Sequence, residues 1–334
     1  MKPAGMALLQ RMGLRMALTG GARRGRPIRG DGATMDPAMA AMLRIIRRIP
    51  LPAASDDPVR GLAMRATYET ASEITGLRRL RHIRTEDITV TGGPVPVPAR
   101  RYAPAGTPGG TLVYFHGGGF AMGSLQTHDR LCRVLADRTG LAVVSVGYRL
   151  APENRFPAAT DDAAAALAFV ARTQPGPLAV GGDSAGGQLA AASLVERPDI
   201  PVRAQLLFYP VVDIAGGYAS EALFGEGFLL TVPIMASLLA AYVPAGQDRA
   251  DPRLSPLRAG PPPVPAVVVA AGFDPLRDQA RAYARALEGQ GVPVRLLEEQ
   301  GLIHGFADFA GVVPEARRAV LRAADALKAL MGGT

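Results

Sequence analysis

The run GGDSAGG (181–187) follows the apolar PGPLAV (175–180) near the middle of the 334-residue chain, and its reading decides the fold. Glycine is costly inside regular structure, so four glycines around one serine mark a place where backbone bends sharply or comes close to something. The spacing Gly182-x-Ser184-x-Gly186 fits a serine held on a tight turn between a buried strand and a helix. A featureless glycine-rich loop would contain the same residues, so the flanking chain has to decide.

Outward from that run the pattern is strand, turn, helix, repeated. Strand-like stretches fall at 86–92, 95–102, 110–116, 141–148, 177–183, 202–209, 264–272 and 293–299, with helical ones at 126–138, 157–172, 185–196, 277–290 and 314–330. Most of the strands are apolar without alternation, the pattern of strands buried on both faces. Strands joined by helices imply right-handed crossovers and an α/β fold, a mostly parallel eight-stranded sheet with helices on both faces. Two regions stand outside this rhythm. One is a pair of N-terminal helices, 35–49 with Asp36 as N-cap and Pro37 in the first turn, and 56–74. The other is 213–247, an apolar, helical insertion between the sixth and seventh strands. Together they predict a helical cap over one end of the sheet. The expected division is a basic arm (1–34), cap helices (35–85), core (86–212), cap insertion (213–247) and second core part (248–334).

Composition is ordinary for a globular chain, 48% hydrophobic and 20% charged. The absence of tryptophan argues against a base-stacking platform for single-stranded nucleic acid. A net charge of +8 would suggest a polyanion partner if it covered a domain, but Lys2 and six arginines lie within 1–30, where there is no acid. The rest is close to neutral, and no nucleic-acid partner is expected. Within the arm, MALLQRMGLRMAL (6–18) sets Leu8, Leu9, Met12 and Met16 near one helical face and Arg11 and Arg15 on another. Packing on its own protein is the expected role, over contact with an anionic membrane surface. The arginines interrupt any signal-peptide core, and no apolar run reaches the roughly 18 residues of a spanning helix, so no integral membrane segment is expected. The lone cysteine, Cys132, forms no internal disulfide and suits a reducing, cytoplasmic setting.

Ligands of open α/β sheets sit beyond the carboxyl ends of the strands. There the chain places HGGGF (116–120), then Ser184, then Asp274 in DPLRD (274–278), then His304 in GLIHGF (301–306). A serine hydroxyl becomes a useful nucleophile when a neighbouring base takes its proton, and an imidazole oriented by a carboxylate is such a base. The oxyanion formed in acyl transfer needs backbone N–H donors, and Gly117, Gly118 and Ala185 are the candidates. Asp278 and Asp213 compete with Asp274 as the acid. Asp183 is expected to point away from Ser184 as a structural hydrogen bonder, His116 to be structural, and His82 and His128 to be surface or cap residues. No CxxC, HExxH or Walker-type lysine loop occurs, and GGDSAGG lacks GxGxxG spacing, so neither a metal nor a cofactor is expected.

HGGGF, YRLAPENRFPAATDD (148–162), GDSAGG, DPLRD and HGF, in that order, resemble the bacterial hormone-sensitive-lipase family (family IV) of carboxylesterases over roughly 35–330. The resemblance implies an α/β-hydrolase fold and a Ser184–Asp274–His304 triad with an oxyanion hole at Gly117, Gly118 and Ala185. It also implies a structural role for YRLAPE and Asp162, bracing the oxyanion loop through Arg149 and Glu153. A cap built from N-terminal helices plus the 213–247 insertion follows as well. The expected partner is a small-molecule ester of short to medium acyl length. An amidase, lactonase or acyltransferase could use the same serine, and a non-catalytic ligand-binding protein could share the fold, although all three triad positions are filled. A homodimer is compatible with the sequence.

Overall fold

The computed structural model of the protein describes residues 13–18, 20, 25–48 and 58–332. Of the amphipathic stretch 6–18, only 13–18 fall within it, and the first residues of the 56–74 helix lie outside. Eight strands form one sheet: β3 (Arg84–Val90), β4 (Val97–Ala103), β5 (Thr111–Phe115), β6 (Ala142–Val146), β7 (Leu178–Asp183), β8 (Val202–Phe208), β9 (Ala266–Phe273) and β10 (Val294–Ile303). Their spatial order is β10-β9-β8-β7-β5-β6-β4-β3. The pairs β3/β4 and β4/β6 are antiparallel and the others parallel. All eight sequence-predicted strands are present.

The central strands β5 to β9 are mostly apolar and buried because both faces are covered. Along β5, Leu112 and Tyr114 join one buried cluster while Val113 and Phe115 join the other. Helices α3 (Asp129–Thr139) and α9 (Pro314–Gly332) contribute to the first cluster; α4 (Ala158–Thr173), α5 (Ala185–Glu196) and α8 (Arg277–Gly289) contribute to the second. Each fully buried Leu, Val or Phe side chain stabilises the fold by roughly 1.5–3 kcal/mol. By contrast β3, at the open edge, is mostly exposed and polar, as a paired-on-one-side strand tolerates.

The N-terminal helices are α1 (Pro37–Ile46) and α2 (Pro58–Thr75). Asp36 caps α1 as expected, its Oδ1 accepting from the N–H groups of Ala38 and Met39 at 3.0 Å. The sequence reading missed a short hairpin, β1 (Arg29–Gly30) with β2 (Ala33–Thr34), turned by Asp31 and Gly32 at positive φ. It lies against the core: Asp31 pairs with Arg277 at 2.7 Å, and Gly30 fits between the rings of Phe224 and Phe273. The last part of the stretch read as an arm is thus packed on the molecule.

Within the insertion lie α6 (Ala219–Phe224) and α7 (Val232–Tyr242). Phe224 and Tyr242 are buried, and the Tyr242 ring stacks on Phe120 with centroids 3.9 Å apart. Among the described residues no helix is long and apolar enough to cross a membrane.

Candidate active site

Ser184 stands between β7 and α5 with φ 53° and ψ −118°, a conformation that costs a non-glycine residue roughly 1–3 kcal/mol and persists only where its surroundings enforce it. The enforcement is visible. Its N–H donates to Phe208 O at 2.9 Å, and its carbonyl accepts from Gly187 and Val211. A side chain on Gly182 would meet the backbone of Gly186 and Phe115, and one on Gly186 would meet Phe115 O. Both glycines are therefore required by close backbone approach, which answers why the serine is surrounded by them.

Ser184 Oγ lies 2.9 Å from His304 Nε2. His304 Nδ1–H donates to Asp274 Oδ2 at 2.8 Å, while Asp274 Oδ1 accepts from Leu276 N–H at 2.7 Å. These partners assign the proton to Nδ1 and leave Nε2 as acceptor for the hydroxyl. Asp274 is fully buried and His304 nearly so. The ring of Tyr209, which sequence reasoning did not single out, packs edge-on against the imidazole at 4.9 Å.

The two rival acids are elsewhere engaged. Asp278 accepts from Ser220 N–H at 3.0 Å and pairs with Arg277 and Arg281. Asp213 pairs with Arg258 at 2.8 Å and accepts from the Tyr218 hydroxyl at 2.8 Å.

Asp183 is a structural hydrogen bonder, as expected, its carboxylate held in a buried network. It accepts from the Tyr114 hydroxyl at 2.9 Å and from Gly117 N–H at 3.0 Å, and pairs with His128 at 3.1 Å. Two expectations are corrected here. His128 is not a surface or cap residue; it is 1% exposed, and its polar neighbours in the sequence misled because its partner lies 55 residues away. Gly117 has its amide already committed to Asp183, so it is not free for an oxyanion. Gly118 and Gly119, at φ +121° and +60°, line the cavity beside Ser184. Among the described residues the amides of Gly118, Gly119 and Ala185 donate to no protein group.

The charges fit this picture. Burial works against a charged His128, but Asp183 outweighs it and holds the imidazole above its ordinary value. Burial likewise works against the Asp183 carboxylate, and His128 outweighs it, so Asp183 is lowered. Burial and the neighbouring His128 push His116 down to about 3. His116 is thus neutral, donating from Nδ1 to Gly117 O at 2.9 Å and stacked on Tyr148 at 4.3 Å. His82, by contrast, is exposed and paired with Asp137.

The bracing of the HGGGF loop differs in detail from what the resemblance implies. Arg149 pairs with Asp162 at 2.8 Å, but the contact to the loop comes from the adjacent Tyr148, whose hydroxyl donates to His116 O at 2.7 Å. Glu153 pairs with Arg65 of α2, and Arg65 in turn donates to Ala121 O at 2.8 Å. Arg65 was not singled out from sequence.

Ser184, His304, Gly118 and Gly119 open onto a cavity of about 790 Å³. Its apolar lining comes from the insertion (Leu229, Leu230, Val232, Ile234, Met235, Leu238, Leu239) and from Met42, Ile45 and Met64 of the N-terminal helices.

A family model described as alpha/beta hydrolase fold matches residues 112–308. The chain is 39% identical over 304 residues to a carboxylic ester hydrolase, LipN, of Mycobacterium tuberculosis, covering 84% of this chain and 79% of that one. It is 38% identical over 248 residues to an ethyl acetate hydrolase of Pseudomonas putida, covering 70% and 78%. Among solved structures, an ester hydrolase from the metagenome of Lake Arreo superposes with a TM-score of 0.82 at 34% identity, covering 89% of this chain and 99% of that one. A hyperthermophilic esterase of Pyrobaculum calidifontis gives 0.80 at 35% identity, with 89% and 98% covered. The chain belongs to the alpha/beta hydrolase fold family. Within it, the chain is a carboxylic ester hydrolase of the hormone-sensitive-lipase (family IV) group.

Proposed function

We propose that the protein hydrolyses short-to-medium acyl esters of small molecules through an acyl-serine intermediate. The observation that carries this reading is the unbroken hydrogen-bond line Asp274–His304–Ser184 ending at a largely apolar cavity. In the proposed chemistry Ser184 Oγ bonds to the ester carbonyl carbon as His304 Nε2 takes its proton, and Asp274 holds the imidazolium that forms. The negative charge moves to the carbonyl oxygen and meets the N–H groups of Gly118, Gly119 and Ala185, with the N-terminal dipole of α5 adding to their field. This replaces Gly117 by Gly119 in the expected oxyanion hole. Collapse breaks the bond to the alcohol, which leaves with the proton from His304. A water then repeats the sequence on the acyl-enzyme.

The cavity of about 790 Å³ lies within the roughly 300–1,000 Å³ of small-molecule pockets. Its lining by both the N-terminal helices and the 213–247 insertion supports treating them as one cap. Each buried methylene adds about 0.8 kcal/mol until the space is full. The test is a series of p-nitrophenyl esters with Ser184→Ala as control. Efficiency rises to an optimum at an acyl length of roughly two to eight carbons, and the Ala variant loses on the order of 10⁶ in kcat. An active Ala variant, or an optimum well beyond that length, overturns the reading.

A further inference from the structure

One wall of the cavity bears a carboxylate that the proposed chemistry does not use. Asp308 lies in the 3-10 turn Phe306–Phe309, just past His304, and shares the cavity with Ser184. Its Oδ2 accepts from the Tyr68 hydroxyl of α2 at 2.9 Å. The titratable groups facing it are His304, His128 ahead of α3, Asp183 at the end of β7, Tyr68 and Tyr209. No arginine or lysine among the described residues forms an ion pair with it, including Arg249, which lines the same cavity. A carboxylate facing a mostly apolar space, with no ion pair of its own and only the Asp183-bound His128 as a nearby cation, is unfavourable unless a cation or a proton comes to it. Groups placed so are concentrated at functional sites.

We propose that Asp308 selects substrates, favouring esters that carry a fixed positive charge or an N–H donor over neutral esters of the same shape. The proposal rests on the serine-esterase reading above. A neutral substrate gains nothing from the carboxylate, whereas a cation near it in a desolvated site is attracted strongly enough to change efficiency by about tenfold or more. Tyr68 O–H fixes the carboxylate from the α2 side without neutralising it. Burial pushes the Asp308 carboxyl up to about 6. The preference is therefore present above that pH and fades as pH falls through it.

The test compares kcat/KM for butyrylthiocholine and for 3,3-dimethylbutyl thiobutyrate, which replaces the quaternary nitrogen by carbon. The full chain is assayed from about pH 5 to about pH 8, a span that brackets the raised Asp308 carboxyl near 6 and the ordinary histidine value. The ratio of the two efficiencies cancels any titration of the base, which both substrates need. It is expected to favour the cation about tenfold at the alkaline end and to approach unity at the acid end. Asp308→Asn brings it near unity throughout, and Asp308→Glu restores its direction. A wild-type ratio that does not change with pH overturns the proposal, with or without a folded variant, and so does a ratio unaltered in Asp308→Asn. If the neutral thioester is hydrolysed and only the charge preference is missing, the esterase reading stands and this one falls. If p-nitrophenyl esters are hydrolysed but neither thioester is, the esterase reading stands and this one falls; if no ester is hydrolysed, both fall.

Discussion

His304 and His128 each hold a buried aspartate, at 2.8 Å and 3.1 Å. Both aspartates come from the carboxyl ends of strands of one sheet, and each also accepts a backbone N–H, from Leu276 and from Gly117. What separates the pairs is the far side of each ring. His304 Nε2 meets the Ser184 hydroxyl at the cavity, whereas His128 Nδ1 meets the Thr127 hydroxyl at 2.8 Å in the interior. The enclosed pair is held ionised, with His128 raised and Asp183 lowered, and it fixes the backbone of the HGGGF loop. An Asp–His pair is therefore not a mark of chemistry by itself. It becomes one where the imidazole keeps an acceptor facing a hydroxyl and a space for substrate.

The largest expected effect breaks the open pair. Asp274→Asn leaves His304 able to hold the wrong tautomer and should lower kcat on the order of 10⁴-fold while KM stays within a few-fold. Asp278→Asn and Asp213→Asn, whose carboxylates are engaged with Arg277 and Arg258, should cost far less. Steady-state kinetics on the three variants separates them. If Asp278→Asn were the crippling change, the loop after β9 would have to rearrange in solution.

Next in size is the enclosed pair. His128→Gln leaves Asp183, 3% exposed, as a buried carboxylate without its cation. Removing one member of such a pair costs about 3–5 kcal/mol of stability, measurable by urea unfolding. The pH dependence has a defined sign. Because Asp183 is lowered, its contribution is present above the ordinary carboxyl range and lost as pH falls through the lowered value. Because His128 is raised, its contribution is complete below its ordinary 6.5 and lost as pH rises through the raised value. The gap between wild type and variant should thus be widest at mildly acidic pH and shrink toward alkaline pH. A gap that widens toward alkaline pH would mean that the pair is not ionised.

This contrast also marks how far the sequence could be read. The central strands were legible because burial on both faces writes continuous apolar runs such as VVVAAG (267–272), and the mixed outer ones because turns and helices bound them. Ser184 and Asp274 each follow such a run and His304 follows the mixed strand VRLLEEQGLI (294–303), so all three candidates could be placed at strand ends. The β1–β2 hairpin was missed because its turn, Asp31-Gly32, sits among arginines in a stretch taken for an arm. His128, Arg65 and Tyr68 were not legible as site residues, since each depends on a partner far along the chain: Asp183, Ala121 and Asp308. The proposed exchange of Gly117 for Gly119 was equally hidden. It turns on where one carboxylate places one amide, which no residue spacing encodes.

The smallest change that sharpens the comparison is Tyr114→Phe. The hydroxyl is fully buried and donates to Asp183 Oδ1, the same oxygen that receives Gly117 N–H. Its loss removes one net hydrogen bond to a charged acceptor, about 1.5–3 kcal/mol at the upper limit and less where the remaining donors tighten. If Asp183 only stabilises the fold, unfolding shifts by that amount and kinetics stays unchanged. If Asp183 also sets the position of the HGGGF loop, the Gly118 and Gly119 amides shift with it. Donors to an oxyanion act mainly in the transition state, so kcat should then fall several-fold with KM nearly constant. We expect the second outcome, because Gly117 is joined directly to the two glycines that line the cavity. An unchanged kcat in a measurably less stable Tyr114→Phe protein would confine the enclosed pair to a purely structural role.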